Sequence, residues 1–249
     1  MPEMRRPRAR CDADGMPIPH DAVVFDCDGT LVDTETAWND AYRDLFARYG
    51  VPLDPVARTR LVGLQLAELG EELAYLLGRP APPEELGRAV YEMVCDGTTA
   101  PGTIVPMPGA VELVTALHGT RPLAIATNTP VEIVTGYLRR AGIHDAFDAV
   151  VDFAAAGAAK PSPLPYLRAC AELGVHPGRA IAVEDSRNGT VAARAAGMFV
   201  VGVPSHPEIG LEADLVAAGL RDPRVWLTFG VPVALLDRPA PGAAGSSVP

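Results

Sequence analysis

The sequence predicts an α/β fold in which a doubly wound parallel sheet carries an inserted α-helical domain. Short runs rich in Val, Ile and Ala alternate with segments of helical periodicity, which is typical of a parallel sheet with helices on both faces. The apolar runs lie at residues 22–26, 122–127, 147–151, 180–184 and 199–203. The interval between Asp33 and Val105 holds no comparable run and shows helical stripes instead.

The first apolar run ends at a pair of carboxylates, because Ala22-Val23-Val24-Phe25 leads directly into Asp26-Cys27-Asp28-Gly29-Thr30. Alternate residues of an extended chain point the same way, so Asp26 and Asp28 are expected on one side of the strand end. Two such carboxylates repel each other unless a cation lies between them. Gly29 allows a sharp turn. The pattern indicates a hard-metal site with a spare carboxylate, although Asp-x-Asp-Gly also occurs in calcium loops and ordinary turns.

The interval after Asp33 predicts three helices. An aromatic stripe over residues 38–49 ends at Gly50 and Pro52, and it is best explained as core packing. A leucine stripe over residues 66–77 ends at Gly78 and Pro80. A third helix is predicted to start near residue 83.

Further polar residues follow the later apolar runs. Thr127 closes the second run, Glu184 and Asp185 close the fourth, and Lys160 lies in a loop after the third. Ligands of such sheets bind at the carboxyl ends of the strands, so these groups are expected to converge on one edge with Asp26. Lys160 is the only lysine among 21 basic residues. A compact ammonium on a flexible stem suits a site that neutralises an oxyanion while it touches a carboxylate.

Composition narrows the class of protein. A formal charge of −10 argues against nucleic acid as a partner, because phosphates would be repelled. No run approaches the ~20 apolar residues that span a bilayer. The four cysteines lack metal-ligand spacing, which is typical of reduced thiols and predicts a cytoplasmic protein. Residues 1–19 and 238–249 are predicted to be disordered tails.

Four segments resemble, in order, the motifs of the phosphatase branch of the haloacid dehalogenase superfamily. They are Asp26–Glu35, Ala124–Asn128, Lys160–Pro163 and Val183–Gly189. The resemblance covers roughly residues 21–220. It implies a Rossmann-like α/β core over 20–33 and 106–237, with an α-helical cap over 34–105.

The resemblance also implies a chemistry: a Mg²⁺-dependent phosphomonoesterase that acts on a small phosphorylated metabolite through an aspartyl-phosphate. Asp26 would be the nucleophile, Asp28 the general acid and base, and Lys160 the charge that offsets both the phosphoryl group and Asp26. The implied phosphate-binding residues are Thr127, Asn128, Lys160 and Gly29, the last through its main-chain amide. The implied Mg²⁺ ligands are Asp26, the main-chain carbonyl of Asp28, Asp185 and Glu184, the last being alternatively a salt-bridge partner.

Alternatives within and outside this branch remain. Asp28 argues against a dehalogenase, and a cap without lysine argues against a phosphonatase. A beta-phosphoglucomutase-like mutase is the nearest competitor, although the histidine and arginine of its cap are replaced here by Trp38 and Leu66. A non-catalytic module that binds a phosphorylated ligand is the other alternative. A monomer or homodimer with no nucleic-acid or membrane partner is expected.

One position departs from the family pattern. Many members carry an aspartate at the fifth position of the third motif, where this chain has Leu164. That aspartate supports the start of the following helix. The segment before Lys160 is also small and apolar, so the sequence predicts a less rigidly held Lys160.

Overall fold

The computed structural model describes residues 20–61, 64, 66–97, 105–205 and 210–236. The two predicted tails, 1–19 and 238–249, lie outside the described residues. The strands are β1 (Ala22–Phe25), β2 (Val32–Asp33), β3 (Val105–Pro106), β4 (Leu123–Ala126), β5 (Ala149–Val151), β6 (Ala180–Glu184), β7 (Phe199–Gly202) and β8 (Leu215–Val216).

The main sheet has the order β5-β4-β1-β6-β7-β8, and every neighbouring pair of its strands is parallel. The predicted fold class is therefore confirmed, and each of the five apolar runs contains a strand. The strand β8 was not predicted from the sequence, because two residues are too few to show an alternating or continuous apolar pattern.

The helices are α1 (Glu35–Arg48), α2 (Pro55–Leu61), α3 (Leu66–Leu76), α4 (Pro83–Gly97), α5 (Ala110–Leu117), α6 (Val131–Arg140), α7 (Phe153–Ala156), α8 (Leu164–Glu172), α9 (Arg187–Ala195) and α10 (Pro223–Thr228). The insert between β2 and β3 contains α1 to α4, so it holds the three predicted helices and one more. The sequence missed α2, whose seven residues carry no apolar stripe.

Alternate residues of β1 enter different hydrophobic clusters, as the pleat of a strand requires. Val23 and Phe25 lie in the cluster that includes α5, α6 and α10, whereas Ala22 and Val24 lie in the cluster that includes α8 and α9. The sheet is thus covered by helices on both faces, which leaves the edge at the carboxyl ends of the strands as the place where polar groups can meet.

The C-terminal segment completes one of these clusters. Trp226 is fully buried and its Nε1 donates to the carbonyl of Leu220 at 2.7 Å. Phe229 packs in the same cluster.

The helical insert has its own hydrophobic cluster, formed mainly by α1, α3 and α4. Its two crossings to the sheet lie side by side, since β2 pairs with β3 in antiparallel register and Met107 N–H donates to the carbonyl of Leu31 at 2.9 Å. The described helices include none that is long and apolar enough to cross a membrane.

Neighbouring residues in α10 test the contribution of the C-terminal segment. Trp226→Ala is expected to lower the free energy of unfolding by about 3–5 kcal/mol, because a fully buried aromatic side chain leaves a cavity. Leu227→Ala is the control, because Leu227 is 64% exposed and should cost little. Urea denaturation measures both. Equal losses in the two variants would contradict the observed packing.

Candidate active site

The polar groups of the candidate site lie at the ends of three adjacent strands, β4, β1 and β6. Asp26 directly follows β1, Thr127 follows β4, and Glu184 ends β6 with Asp185 after it. Because β4 and β6 flank β1 in parallel, these four residues meet at one edge, as the sequence predicts. All four are buried.

Lys160 lies between two of the carboxylates. It comes from the loop between α7 and α8, and its Nζ is 2.6 Å from Asp26 Oδ1 and 2.6 Å from Glu184 Oε1. Burial by itself lowers the pKa of Lys160, but the charges of Asp26 and Glu184 outweigh it, so the pKa lies above its ordinary value. The ammonium therefore stays charged at neutral pH.

The main chain of Lys160 is held as well as its side chain. Asn128 Nδ2 donates to the Lys160 carbonyl at 3.2 Å, and the Lys160 N–H donates to Asn128 Oδ1 at 2.8 Å. Ser162 Oγ accepts from the Leu164 N–H at 3.3 Å at the start of α8. The prediction of a loosely held Lys160 is thus wrong, because an amide on another loop and a serine supply the support that the missing aspartate would give.

Glu184 is wholly buried and receives four donors. Oε1 accepts from Lys160 Nζ and from the Tyr166 hydroxyl at 2.7 Å. Oε2 accepts from the Ser186 hydroxyl at 2.9 Å and from the Ser186 N–H at 3.3 Å. Tyr166 was not anticipated from the sequence, since no local period reveals a contact that spans 18 residues.

Asp28 is oriented by two threonines that sequence reasoning also missed. Hydroxyls of Thr129 and Thr34 hydrogen-bond to its carboxyl group, which partly offsets the burial that raises the pKa of Asp28. Its Oδ1 is buried and has no hydrogen-bond partner among the described residues. A carboxyl group fixed on one side and unpartnered on the other suits proton exchange with a bound molecule.

Gly29 has a different role from the predicted one. Its N–H donates to the Val32 carbonyl at 2.9 Å, so that amide is used inside the turn and the prediction that it faces a phosphate needs correction. The residue has φ +78°, and a Cβ there would lie 2.3 Å from Asp185 Oδ2. Glycine is therefore needed both for the turn and for the close approach of Asp185.

Asp26, Glu184 and Asp185 form a buried acidic cluster. Each offers one oxygen, and these three oxygens lie within 4.8 Å of one another. Burial, followed by the neighbouring carboxylates, raises the pKa of Asp185 to about 7, and burial also raises the pKa of Asp26 well above its ordinary value. Lys160 alone does not balance the negative charge, so the cluster fits a hard divalent cation with oxygen ligands.

A family model described as haloacid dehalogenase-like hydrolase matches residues 20–197. The chain is 33% identical over 185 residues to fructose-1-phosphate phosphatase YqaB of Escherichia coli K12. The match covers 73% of this chain and 95% of that protein. It is 31% identical to validoxylamine A 7'-phosphate phosphatase of Streptomyces hygroscopicus subsp. limoneus, over 84% of this chain and 97% of that protein. Among solved structures, CbbY from Rhodobacter sphaeroides in complex with phosphate superposes with a TM-score of 0.70 at 30% identity, over 80% and 94% of the two chains.

The raised pKa of Asp185 predicts a pH-dependent loss of stability without divalent cations. The pKa of Asp185 is 3.8 in the unfolded chain and about 7 in the folded protein. Between these two pH values the unfolded chain has lost this proton while the folded protein still binds it. The free energy of unfolding therefore falls as the pH rises through this window. Urea unfolding in EDTA should show the parent losing about 1–3 kcal/mol more than Asp185→Asn between pH 5 and pH 8. Exposed Asp44, changed to Asn, is the control and should behave as the parent. Equal losses in the parent and Asp185→Asn would contradict the assignment.

Proposed function

The chain belongs to the haloacid dehalogenase-like hydrolase family, in its phosphatase branch, and we propose that it is a Mg²⁺-dependent phosphomonoesterase for a small phosphorylated metabolite. One observation carries the proposal. Asp26 is held by Lys160 at 2.6 Å, at a strand end where Asp28, Thr127 and Asp185 are also brought together.

Asp26 is the proposed nucleophile. Lys160 engages its Oδ1, which leaves Oδ2 to attack phosphorus. The bond from Oδ2 to phosphorus forms as the bond from phosphorus to the ester oxygen breaks, and an aspartyl-phosphate results. An ammonium has three N–H donors, and two of those of Lys160 are used on Asp26 and Glu184. The third is available to a phosphoryl oxygen.

Asp28 is the proposed general acid and base. It gives its proton to the departing alkoxide and then takes one from the water that attacks the aspartyl-phosphate. The first of these steps needs a protonated carboxyl group, and burial raises the pKa of Asp28 in that direction. Thr34 and Thr129 hold the group in place for both steps.

Two donors are proposed for the other phosphoryl oxygens. Thr127 Oγ1 accepts from the Thr129 N–H at 2.9 Å, so its own proton remains for the substrate. The Asn128 main-chain N–H is the second donor, while the side chain of Asn128 holds Lys160.

We assign the Mg²⁺ ligands to Asp26, the main-chain carbonyl of Asp28, and Asp185. Glu184 lies close enough to be a fourth ligand, but its contacts with Lys160, Tyr166 and Ser186 favour a role in holding Lys160. A bound Mg²⁺ would neutralise charge on the phosphoryl group. Burial, and after it the neighbouring carboxylates, raises the pKa of Asp26 and of Asp185, so both groups would gain from a bound cation.

A sugar or polyol phosphate is the proposed substrate class, since fructose 1-phosphate and validoxylamine A 7'-phosphate appear in the names of two similar phosphatases. The space above the strand ends, on the side where α1 follows Thr34, would receive the organic part. Closure of the helical insert over this space would exclude water and complete the pocket.

Phosphate release tests the nucleophile. The parent should release inorganic phosphate from at least one of fructose 1-phosphate, sorbitol 6-phosphate and phosphoglycolate with Mg²⁺, and EDTA should abolish the release. Asp26→Asn should lower kcat by at least about 10³-fold, because an amide cannot form the aspartyl-phosphate. Asp44→Asn, an exposed change in α1, should retain full activity. Conversion of beta-glucose 1-phosphate to the 6-phosphate without phosphate release would favour a mutase instead, and folded protein without turnover would favour a binding module.

The leaving group separates the two roles of Asp28. Asp28→Asn should be inactive on an alkyl phosphate, whose alkoxide needs a proton. With p-nitrophenyl phosphate no proton is needed, so a burst of one p-nitrophenolate per protein should precede a slow phase, and mass spectrometry should show one added phosphoryl group. Equal loss of kcat on both esters, without a burst, would contradict the acid and base role.

A further inference from the structure

Glu184 occupies a site that is built around its carboxylate. Besides the Lys160 ammonium it receives three neutral donors, from Tyr166 and Ser186. The side chain is fully buried, so none of these contacts competes with bulk water. The carboxylate is thereby held in one orientation rather than simply neutralised.

Tyr166 contacts both members of the ion pair that Glu184 makes. Its hydroxyl donates to Glu184 Oε1 at 2.7 Å, and Lys160 Nζ lies 5.0 Å from the centroid of its ring. The residue is fully buried in α8, where it packs in the cluster beneath the sheet. Core packing therefore fixes the ring of Tyr166, and its hydroxyl group in turn fixes the position of Glu184.

Gly189 provides the space for the same carboxylate. A Cβ at this position in α9 would lie between 1.8 and 2.0 Å from the carboxyl atoms of Glu184. Real Cβ atoms never come this near, so the carboxylate lies where any other residue type would place its side chain. The first turn of α9 also offers its positive dipole end to this anion.

We propose that Tyr166 and Gly189 together form a seat for Glu184, and that Tyr166 is a positioning residue of the reaction through this seat. A lysine side chain is flexible, so an ammonium held by Asp26 alone could take several positions. With Glu184 fixed as a second anchor, the ammonium has one position, and its third N–H points toward the phosphoryl group. The effect on catalysis rests on the proposed function, whereas the effect on Lys160 does not.

Tyr166→Phe tests the catalytic effect, because it removes only the hydroxyl and keeps the ring. We expect kcat to fall about tenfold while KM stays within about twofold. Tyr42→Phe is the matched control, since Tyr42 is a buried tyrosine of α1 whose hydroxyl bonds to the Leu61 carbonyl at 3.4 Å. It should retain the parent kcat.

In a Glu184→Ala background, Tyr166→Phe should cost less than about twofold, because the acceptor through which the hydroxyl acts is already absent. A full tenfold loss there would overturn the proposal.

The single lysine allows a second test that needs no turnover. Protein labelled with ¹⁵N at lysine Nζ should give one side-chain ammonium signal, protected from exchange because Lys160 is 3% exposed. In Tyr166→Phe and in Gly189→Ala this signal should shift and exchange faster with water, whereas in Tyr42→Phe it should match the parent. An unchanged signal in folded Tyr166→Phe would overturn the proposal. Absence of phosphate release by the parent would instead count against the proposed function, and the signal would still decide the role of Tyr166.

Discussion

The buried ion pairs of Lys160 are the interaction on which the site depends. Three carboxylates are gathered at the ends of β1 and β6, and a single ammonium lies between Asp26 and Glu184. Removing one partner of a buried ion pair leaves an uncompensated charge, which costs about 3–5 kcal/mol. The surrounding contacts follow from this constraint: Asn128 fixes the main chain of Lys160, while Tyr166 fixes Glu184. The ends of β1, β4 and β6 and the loop between α7 and α8 are thus joined by one network.

Two glycines allow carboxylates of the site to lie directly against the main chain. Gly29 lets Asp185 reach the turn after β1, and Gly189 lets Glu184 lie against the first turn of α9. Both contacts bring a carboxylate nearer to the backbone than a methyl group would permit. Three carboxylates share one lysine in the cluster that results, and burial, followed by the neighbouring carboxylates, raises the pKa of Asp26 and of Asp185.

The helical insert is built as a separate packing unit that meets the sheet through two adjacent crossings. Its apolar residues form a cluster distinct from those of the sheet, and β2 and β3 pair where the chain leaves and returns. Thr34, the first residue after β2, hydrogen-bonds to Asp28. The start of the insert is therefore connected directly to the proposed general acid.

The fold class, the strand-end positions of Asp26, Thr127 and Asp185, and the convergence of the lone lysine on the same edge could all be predicted from the sequence. These features are local: apolar runs and helical stripes set the elements, and parallel strands place their carboxyl ends at one edge. The partners of these residues became known from the three-dimensional structure alone. Tyr166 meets Glu184, Asn128 holds Lys160, and the Gly29 amide is used inside its own turn. Two of these contacts join residues far apart in the chain, and the third depends on the direction of a single N–H group. Neither feature produces a periodic pattern in the sequence, so neither can be predicted from it.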